Sequence, residues 1–486
     1  MNDGTGPEQA NPLVAALRDS ITGYDVRGLV GSQLSAPIVE ALGAAFVDVV
    51  GAAGSEIVVG HDARDSSPEF AEAFSRGARA RGADVVSIGL CSTDESCFAS
   101  GTRGAPSAMI TASHNPASYN GIKLSRPGAQ SIGFDTGLAD IRDRAEVYLV
   151  DGVPDAAAPG SWRELDVLAD YAAALRGLVE LAGIRPLTVV VDAGNGMAGL
   201  TVPAVLGTAA GLPPLPITIV PLFFERDGSF PNHDPDPLEP ANLLELRRAV
   251  VEHDADLGIA FDGDADRCFL VDELGQPVTP SAIAALVAAR EIARARLADP
   301  QAQVVVLHDL ITSRAVPETV EAAGGIAVRT PVGHSVIVDL MRETGAVFGA
   351  EHSGHYFFRD FWSAENGMLA AMHVLAEHGG AQHPPEPFSA LAQRYTPYAA
   401  SGEVDSVVDD VPSAYSRIVE EFMGAAEFDE LDGLTVTGTV AGDEPFWWFS
   451  VRPSNTEPLL RLTVEAETRS RMEQIRDRVL ELIGPA

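Results

Sequence analysis

The chain has 486 residues, 46% of them hydrophobic, and a formal net charge of −36 at pH 7. That length implies several domains, at about 100–200 residues each, and no apolar run of about 18 residues marks a transmembrane helix. Such acidity excludes nucleic acid and anionic membranes as partners, because both select basic patches. Its 33 basic residues are 32 arginines and one lysine, Lys123. Cys91, Cys97 and Cys268 are odd in number and share no metal-ligand spacing, which predicts a reduced, cytoplasmic protein.

The opening residues, MNDGTGPEQANP, lack a basic n-region followed by an apolar h-region. Residues 1–17 read as a disordered tail. Three later segments share one pattern: EIVVGHDARDS (56–66), LTVVVDAGNGMAG (187–199) and QVVVLHDLITSR (303–314). Each is a β-branched run that ends in a polar turn and leads into helical sequence. That pattern predicts parallel strands in three similar α/β units. The linker DGVPDAAAPGS (151–161) and the breaker cluster EHGGAQHPPEPF (377–388) divide the chain, and a further boundary falls near Asp272–Gly275. The last segment predicts two strands around a polar turn (446–467) and an amphipathic helix (472–483), an α+β domain. The expected domains are 18–155, 156–273, 274–383 and 384–486.

Four loops carry chemistry, in chain order. SAMI (107–110) reads as a strand with TASHNP at its carboxyl end, where α/β sheets collect ligands. Ser113 there is either a nucleophile, flanked by Thr111, His114 and Asn115, or a turn former. Asn120-Gly121 predicts a second turn. GIAFDGDADRC (258–268) delivers Asp262, Asp264 and Asp266 at alternating positions. Three close carboxylates repel unless a cation sits among them, and hard oxygen ligands suit Mg²⁺. A solvated acidic turn is the plain alternative; an EF-hand needs Gly at loop position 6, where this chain has Arg267. That arginine can hold a phosphoryl oxygen.

The third loop, GAEHSGHYFFRDFW (349–362), groups Glu351, His352, Ser353 and His355. Glu and Ser suit sugar hydroxyls, and a histidine there can relay protons. RTPVGHS (329–335) adds Arg329, Gly333 and His334. The fourth loop, RPSNTEP (452–458), crowds Arg452, Ser454, Asn455 and Thr456 into a turn, with Arg461 on the next strand. Guanidinium, hydroxyls, amide and turn N–H groups together make a phosphate cradle.

Taken in this order, TASHNP, DGDADR, AEHSGH and RPSNTEP resemble the α-D-phosphohexomutase family. GYDVRG (23–28), VVDAGNGMAG and DGSFPNHDPDP (227–237) extend the resemblance over nearly the whole chain. It implies four domains around a central cleft, one loop from each. Ser113 becomes the phosphoserine, and Asp262, Asp264 and Asp266 bind Mg²⁺ with one of its phosphate oxygens. Glu351 and Ser353 grip sugar hydroxyls, and Arg452, Ser454, Asn455 and Thr456 hold the non-reacting phosphate. Tyr24, Arg27, Lys123, His355 and Arg267 reach the reacting end; His114, Arg329, Gly333, His334 and Arg461 complete the substrate set. The general acid/base is His355, or Lys123 if its pKa is lowered.

The implied reaction interconverts hexose 6-phosphate and hexose 1-phosphate through a hexose 1,6-bisphosphate. His352 in the Glu-His-Ser order and the Ser-Asn-Thr turn are similar to phosphomannomutases. Phosphoglucomutase or dual specificity is the alternative; a metal-dependent sugar phosphatase and a non-catalytic sugar-phosphate sensor are the rival classes. Two departures stand out: Ala350 where Gly commonly precedes the Glu, and Ile311 where some members place a basic residue. The expected partner is a small-molecule sugar phosphate, with the protein a monomer or homodimer.

Overall fold

In a computed structural model the chain has four domains, three α/β with mixed strand directions and a C-terminal α+β domain. The structure describes residues 11–484 except 22, 381–385, 409, 439–444 and 454–458, and the side chain of His334 is also outside the described set. Among the described residues no helix is long and apolar enough to cross a membrane.

The first sheet is built from β1 (Val26–Leu29), β2 (Glu56–His61), β3 (Asp84–Leu90), β4 (Ser107–Ile110), β5 (Tyr119–Arg126), β6 (Gln130–Ser131) and β7 (Trp162–Glu164). Its order is β1-β5-β4-β2-β3-β7, with β6 on β5. β2 runs parallel to β3 and β4, while β5 is antiparallel to both β4 and β1. Helices Pro12–Ser20, Ala36–Val50, Ser67–Ala80 and Leu138–Asp151 share one core with β2, β4 and β5, centred on Val39, Phe46, Ile57, Phe74 and Ile110.

The second sheet contains β8 (Leu187–Asp192), β9 (Ile217–Leu222), β10 (Leu257–Phe261), β11 (Cys268–Asp272) and β12 (Pro277–Val278), in the order β12-β11-β10-β8-β9. β8 is parallel to β9 and β10, and β10–β11–β12 continue antiparallel. In the third domain, β13 (Val305–Asp309), β14 (Ile326–Thr330) and β15 (Phe348–Ala350) are parallel with β13 central. β16 (Tyr356–Phe358) and β17 (Ala364–Glu365) form an antiparallel pair. The fourth domain has β18 (Ala399–Val407), β19 (Ala426–Asp429), β20 (Leu434–Gly438), β21 (Trp447–Pro453) and β22 (Leu459–Ala466), all antiparallel in the order β18-β22-β21-β20-β19. Helix Arg469–Ile483 buries Met472, Ile475, Val479 and Ile483 in that domain's core.

Two compact units carry these domains. One holds residues up to Val278 with Gly354–Phe388, the other Thr279–Ser353 with residues from Ser389 onward.

The three β-branched runs are strands β2, β8 and β13, each followed by a helix, as their pattern predicts. Four expectations need correction. Residues 12–17, assigned to the tail, lie in helix Pro12–Ser20: Asn11 caps it, Pro12 begins it, and Leu17 is fully buried. β7 pairs with β3, so residues up to 164 belong to the first sheet rather than to a second domain starting at 156. Asp272–Gly275 is a hairpin turn inside the second sheet, closed by Asp272 N to Gln276 O, so this sheet ends at Val278. Asn120-Gly121 is strand, not turn. Gly121 lies between β1 and β4, where a Cβ would meet Val26 O at 2.3 Å and Thr111 O at 2.7 Å. Only glycine lets the three backbones approach that closely.

Candidate active site

In the first unit, β4 ends in the serine loop. Ser113 is buried and sits in the left-handed region, φ 50°. A non-glycine residue there stores about 1–3 kcal/mol and needs its surroundings to hold it. Arg64, at the carboxyl end of neighbouring β2, supplies that hold. Its guanidinium donates to the carbonyls of Ser113 (2.8 Å), Asn115 (2.6 Å), Pro116 (2.8 Å) and Tyr119 (3.1 Å). Asp62 Oδ2 accepts from Arg64 Nε at 3.1 Å, and the Phe230 ring covers the guanidinium at 5.0 Å. From β1, Arg27 donates to Asn115 Oδ1 at 2.7 Å and to Asp25 Oδ2 at 2.5 Å. Tyr24 precedes this pair and is half-buried.

The metal loop meets the serine loop directly. A Cβ on Gly263 would lie 2.6 Å from Ser113 O, so this contact requires glycine. Ser113 Oγ donates to Asp262 Oδ2 at 2.8 Å, and Arg267 Nε donates to the same oxygen at 2.9 Å. Asp264 Oδ2 accepts from Thr93 Oγ1 at 2.6 Å and from Lys123 Nζ at 2.8 Å. Lys123 Nζ also bonds Asp266 Oδ2. The three aspartates are fully buried, and ligand oxygens from each lie within 4.8 Å of one another.

Burial pushes the Asp262 carboxyl up to about 6 against the pull of Arg267. Burial and then Asp264 raise Asp266 too, whereas Asp264 is lowered, its burial outweighed by Lys123. Two cations thus face three carboxylates. Asp264 Oδ1 and Asp266 Oδ1 are buried with no hydrogen-bond partner among the described residues. Orphaned anionic oxygens at that cost fit a divalent cation with hard-oxygen preference.

Lys123 itself corrects one expectation. Burial opposes its charge, but Asp264 and Asp266 outweigh burial and raise its pKa well above the ordinary value, not below it. His114 Nδ1 lies 3.4 Å from Ser113 Oγ, and burial with the charges of Arg267 and Arg27 holds this imidazole well below its usual range. His355 pairs its backbone with Arg267, and its ring stacks on Phe357 at 6.3 Å. The serine, the aspartate triad, Lys123, Arg267, His114, Arg27 and His355 therefore assemble within one unit.

The second unit holds Glu351, His352 and Ser353, with Arg452 and Arg461. Parallel pairing sets His308 of β13 beside Ala350 of β15, so Asp309 and Glu351 emerge together. Gly333 N donates to Glu351 Oε1 at 2.9 Å, and Ser353 Oγ lies 3.4 Å from Glu351 Oε2. Asp309 accepts from the N–H groups of Thr312 (2.8 Å) and His352 (3.1 Å). Burial and the nearby Glu351 push Asp309 up to about 8. His352 points its Nδ1 at Ser281 Oγ, 2.8 Å away, and burial lowers its pKa. His334 opens helix His334–Thr344. Arg329 Nη2 pairs with Asp429 Oδ2 at 2.5 Å, so its guanidinium is engaged by the fourth domain's β19. Arg452 and Arg461 face each other across β21–β22 and share Glu403. Ser454, Asn455 and Thr456 lie outside the described residues.

Sequence reasoning missed Arg64, Thr93 and Asp309. Arg64 lay in plain view in HDARD, but its acceptors come from a loop some 50 residues later. Thr93 begins helix Thr93–Arg103, fixed by a capping box between Ser92 and Glu95. That helix start reaches Asp264 twice, through Thr93 Oγ1 and through its N–H to Asp264 O at 3.1 Å.

The chain matches the four domains of the phosphoglucomutase/phosphomannomutase family in order: domain I over residues 18–146, domain II over 169–275, domain III over 279–398 and the C-terminal domain over 403–482. Curated relatives include the phosphohexose mutases of Xanthomonas campestris pv. campestris, 38% identical over 91% of this chain and 94% of theirs. A phosphomannomutase of Escherichia coli is 37% identical with the same coverage, 91% and 94%. Among solved structures, a phosphoglucomutase/phosphomannomutase family protein from Burkholderia thailandensis superposes with TM-score 0.82 at 31% identity, covering 96% of this chain and 98% of that one. With all four domains present in order and relatives at this level of identity, the chain belongs to the phosphoglucomutase/phosphomannomutase family and is a phosphohexomutase, an isomerase that moves a phosphoryl group within a sugar phosphate.

Proposed function

We propose that the chain is a phosphomannomutase, interconverting mannose 6-phosphate and mannose 1-phosphate through a phosphoserine at Ser113 and a mannose 1,6-bisphosphate. The observation that carries this reading is Ser113 Oγ on Asp262 Oδ2 at 2.8 Å, inside a buried aspartate triad. Asp262, Asp264 and Asp266, with a phosphoserine oxygen, would hold Mg²⁺, which supplies positive charge against the charge that builds on the phosphoryl oxygens. Lys123 and Arg267 add fixed cations to the same oxygens.

In the first half-reaction the P–Oγ bond of phosphoserine breaks as the sugar's free hydroxyl oxygen bonds to phosphorus. The bond pair stays on Ser113 Oγ, which picks up a proton, while His355 takes the sugar hydroxyl's proton; the second half-reaction reverses both transfers. After the bisphosphate turns end for end, Ser113 Oγ takes the other phosphoryl group and the released sugar oxygen is reprotonated. Glu351 and Ser353 take sugar hydroxyls in both orientations; Arg452, Ser454, Asn455, Thr456 and Arg461 take the non-reacting phosphate, and Tyr24, Arg27 and His114 border the reacting one. Lys123 acts as a charge rather than as the base, because its ammonium lies between two carboxylates.

The choice of mannose is supported by relatives named phosphomannomutase and by His352 beside the loop glutamate. Contacts to O3 and O4 are blind to C2, so glucose 6-phosphate is the second substrate to assay. The setting we infer is cytoplasmic, supported by three cysteines that are all free and buried, with the enzyme a monomer or homodimer. The test measures turnover of both hexose phosphates with Mg²⁺ and trace bisphosphate, for wild type and Ser113→Ala. Turnover by wild type and a loss of at least about 10³-fold in Ser113→Ala is expected. Full activity in Ser113→Ala refutes the phosphoserine, and net phosphate release without isomerisation refutes the mutase.

A further inference from the structure

The phosphate-cradle strands hold an anion of their own. β21 and β22 place Arg452 opposite Arg461 in register, two cations that repel each other. Glu403 on β18 joins them, just past a bulge between Ala400 and Glu403. Its Oε1 accepts from Arg461 Nη1 at 2.9 Å, and its Oε2 from Arg452 Nη2 at 3.3 Å. Asp405 Oδ1 lies 3.8 Å from Arg461 Nε. Two carboxylates therefore already balance the two guanidinium groups.

Arg452 is aimed at something more. Its side chain is only 11% exposed, and its buried Nε has no acceptor among the described residues. A donor left unmade in a buried position is costly, which points to an anionic oxygen arriving there. A phosphate that docks there meets guanidinium groups whose charge Glu403 already offsets, and the carboxylate opposes it.

We propose that Glu403 is a competing anion built into the phosphate cradle, which weakens the grip on the non-reacting phosphate so that the bisphosphate can let go and turn. This rests on the mutase reading above. Glu403 is a positioning residue, since it acts through the arginines. The logic is energetic: affinity for the phosphate that is equal in every state does not speed the chemistry, and a deep well slows release. A family that must present both ends of one intermediate to one serine benefits from a loosened handle.

The test uses Glu403→Gln and Glu403→Ala, with 1-deoxyglucose 6-phosphate as probe. That ligand carries one phosphate and no C1 hydroxyl, so it binds without being turned over. Removing one charge from a partly exposed pair should tighten its Kd about three- to fivefold in both variants. KM for hexose 6-phosphate should fall and kcat should fall with it. If Glu403 merely shapes the arginines, both variants bind the probe more weakly; that result, or an unchanged Kd, overturns the proposal. Tighter binding with unchanged kcat overturns it as well. Failure of the mutase reading is separate: wild type would then show no isomerisation at all, whatever the probe affinities.

Discussion

Arg64→Met offers the sharpest test of how the serine is presented. Arg64 is 1% exposed and its guanidinium serves Asp62 and four loop carbonyls. Methionine fills similar space but removes every donor. Breaking a buried ion pair from one side costs about 3–5 kcal/mol, here moderated because Asp62 Oδ1 keeps Ser67 Oγ at 2.6 Å and Arg64 N at 3.0 Å. Freed carbonyls that water cannot reach add about 1 kcal/mol each. A net loss of about 4 kcal/mol lowers Tm by roughly 6 °C for a unit of about 310 residues, at about 2.1 cal/mol/K of unfolding entropy per residue. The kinetic effect is separate. Ser113 at φ 50° holds about 1–3 kcal/mol of strain, which the loop relaxes once released. The productive loop population, and with it kcat, then falls by about 10–100-fold. The assay pairs thermal unfolding with kcat at saturating hexose phosphate, measured well below the variant's Tm. A kcat within twofold of wild type refutes the claim that Arg64 holds the serine, even if Tm falls.

Lys123→Arg should keep KM for the sugar phosphate but lose at least about tenfold in kcat, because a planar fork cannot occupy the point between Asp264 and Asp266 that an ammonium does; steady-state kinetics at saturating Mg²⁺ check it. His308 is buried and its pKa is pushed down to about 4 by desolvation and then by Arg329 and Arg314. A depressed histidine contributes stability that is present above about pH 6.5 and is lost as pH falls through 4, about 3 kcal/mol in all. His308→Asn should remove that part of the acid sensitivity, seen as a flatter Tm between pH 6.5 and 4.

Much of this architecture could be read from short stretches. SAMI at 107–110 is strand β4 to the residue, and the triple-Asp loop sits where a strand ending in Phe261 delivers it. These features depend on local periodicity and on residue types whose chemistry is narrow. What was not legible depends on partners brought by topology. Arg64 became a loop clamp because β2 lies beside β4, and Glu403 reached Arg452 and Arg461 because β18 pairs with β22 across nearly 60 residues. The Asn120-Gly121 error has the same origin. Its dipeptide favours a turn locally, but Asn120 Nδ2 is held by Ser66 and Ser67 while Gly121 lies between two strands, so packing overrode propensity.

The solitary lysine has a chemical consequence. Apart from histidines, every other basic side chain in the protein is a guanidinium, and the Lys123 side chain is only 16% exposed, its amine gripped by two carboxylates. Acylating and aldehyde reagents, which spread over the surface of ordinary proteins, find no lysine amine here except the one beside the buried aspartate triad. A lysine adduct, told apart from the α-amine by peptide mapping, would report on the Asp264–Asp266 site alone, so its yield meters how open that site is.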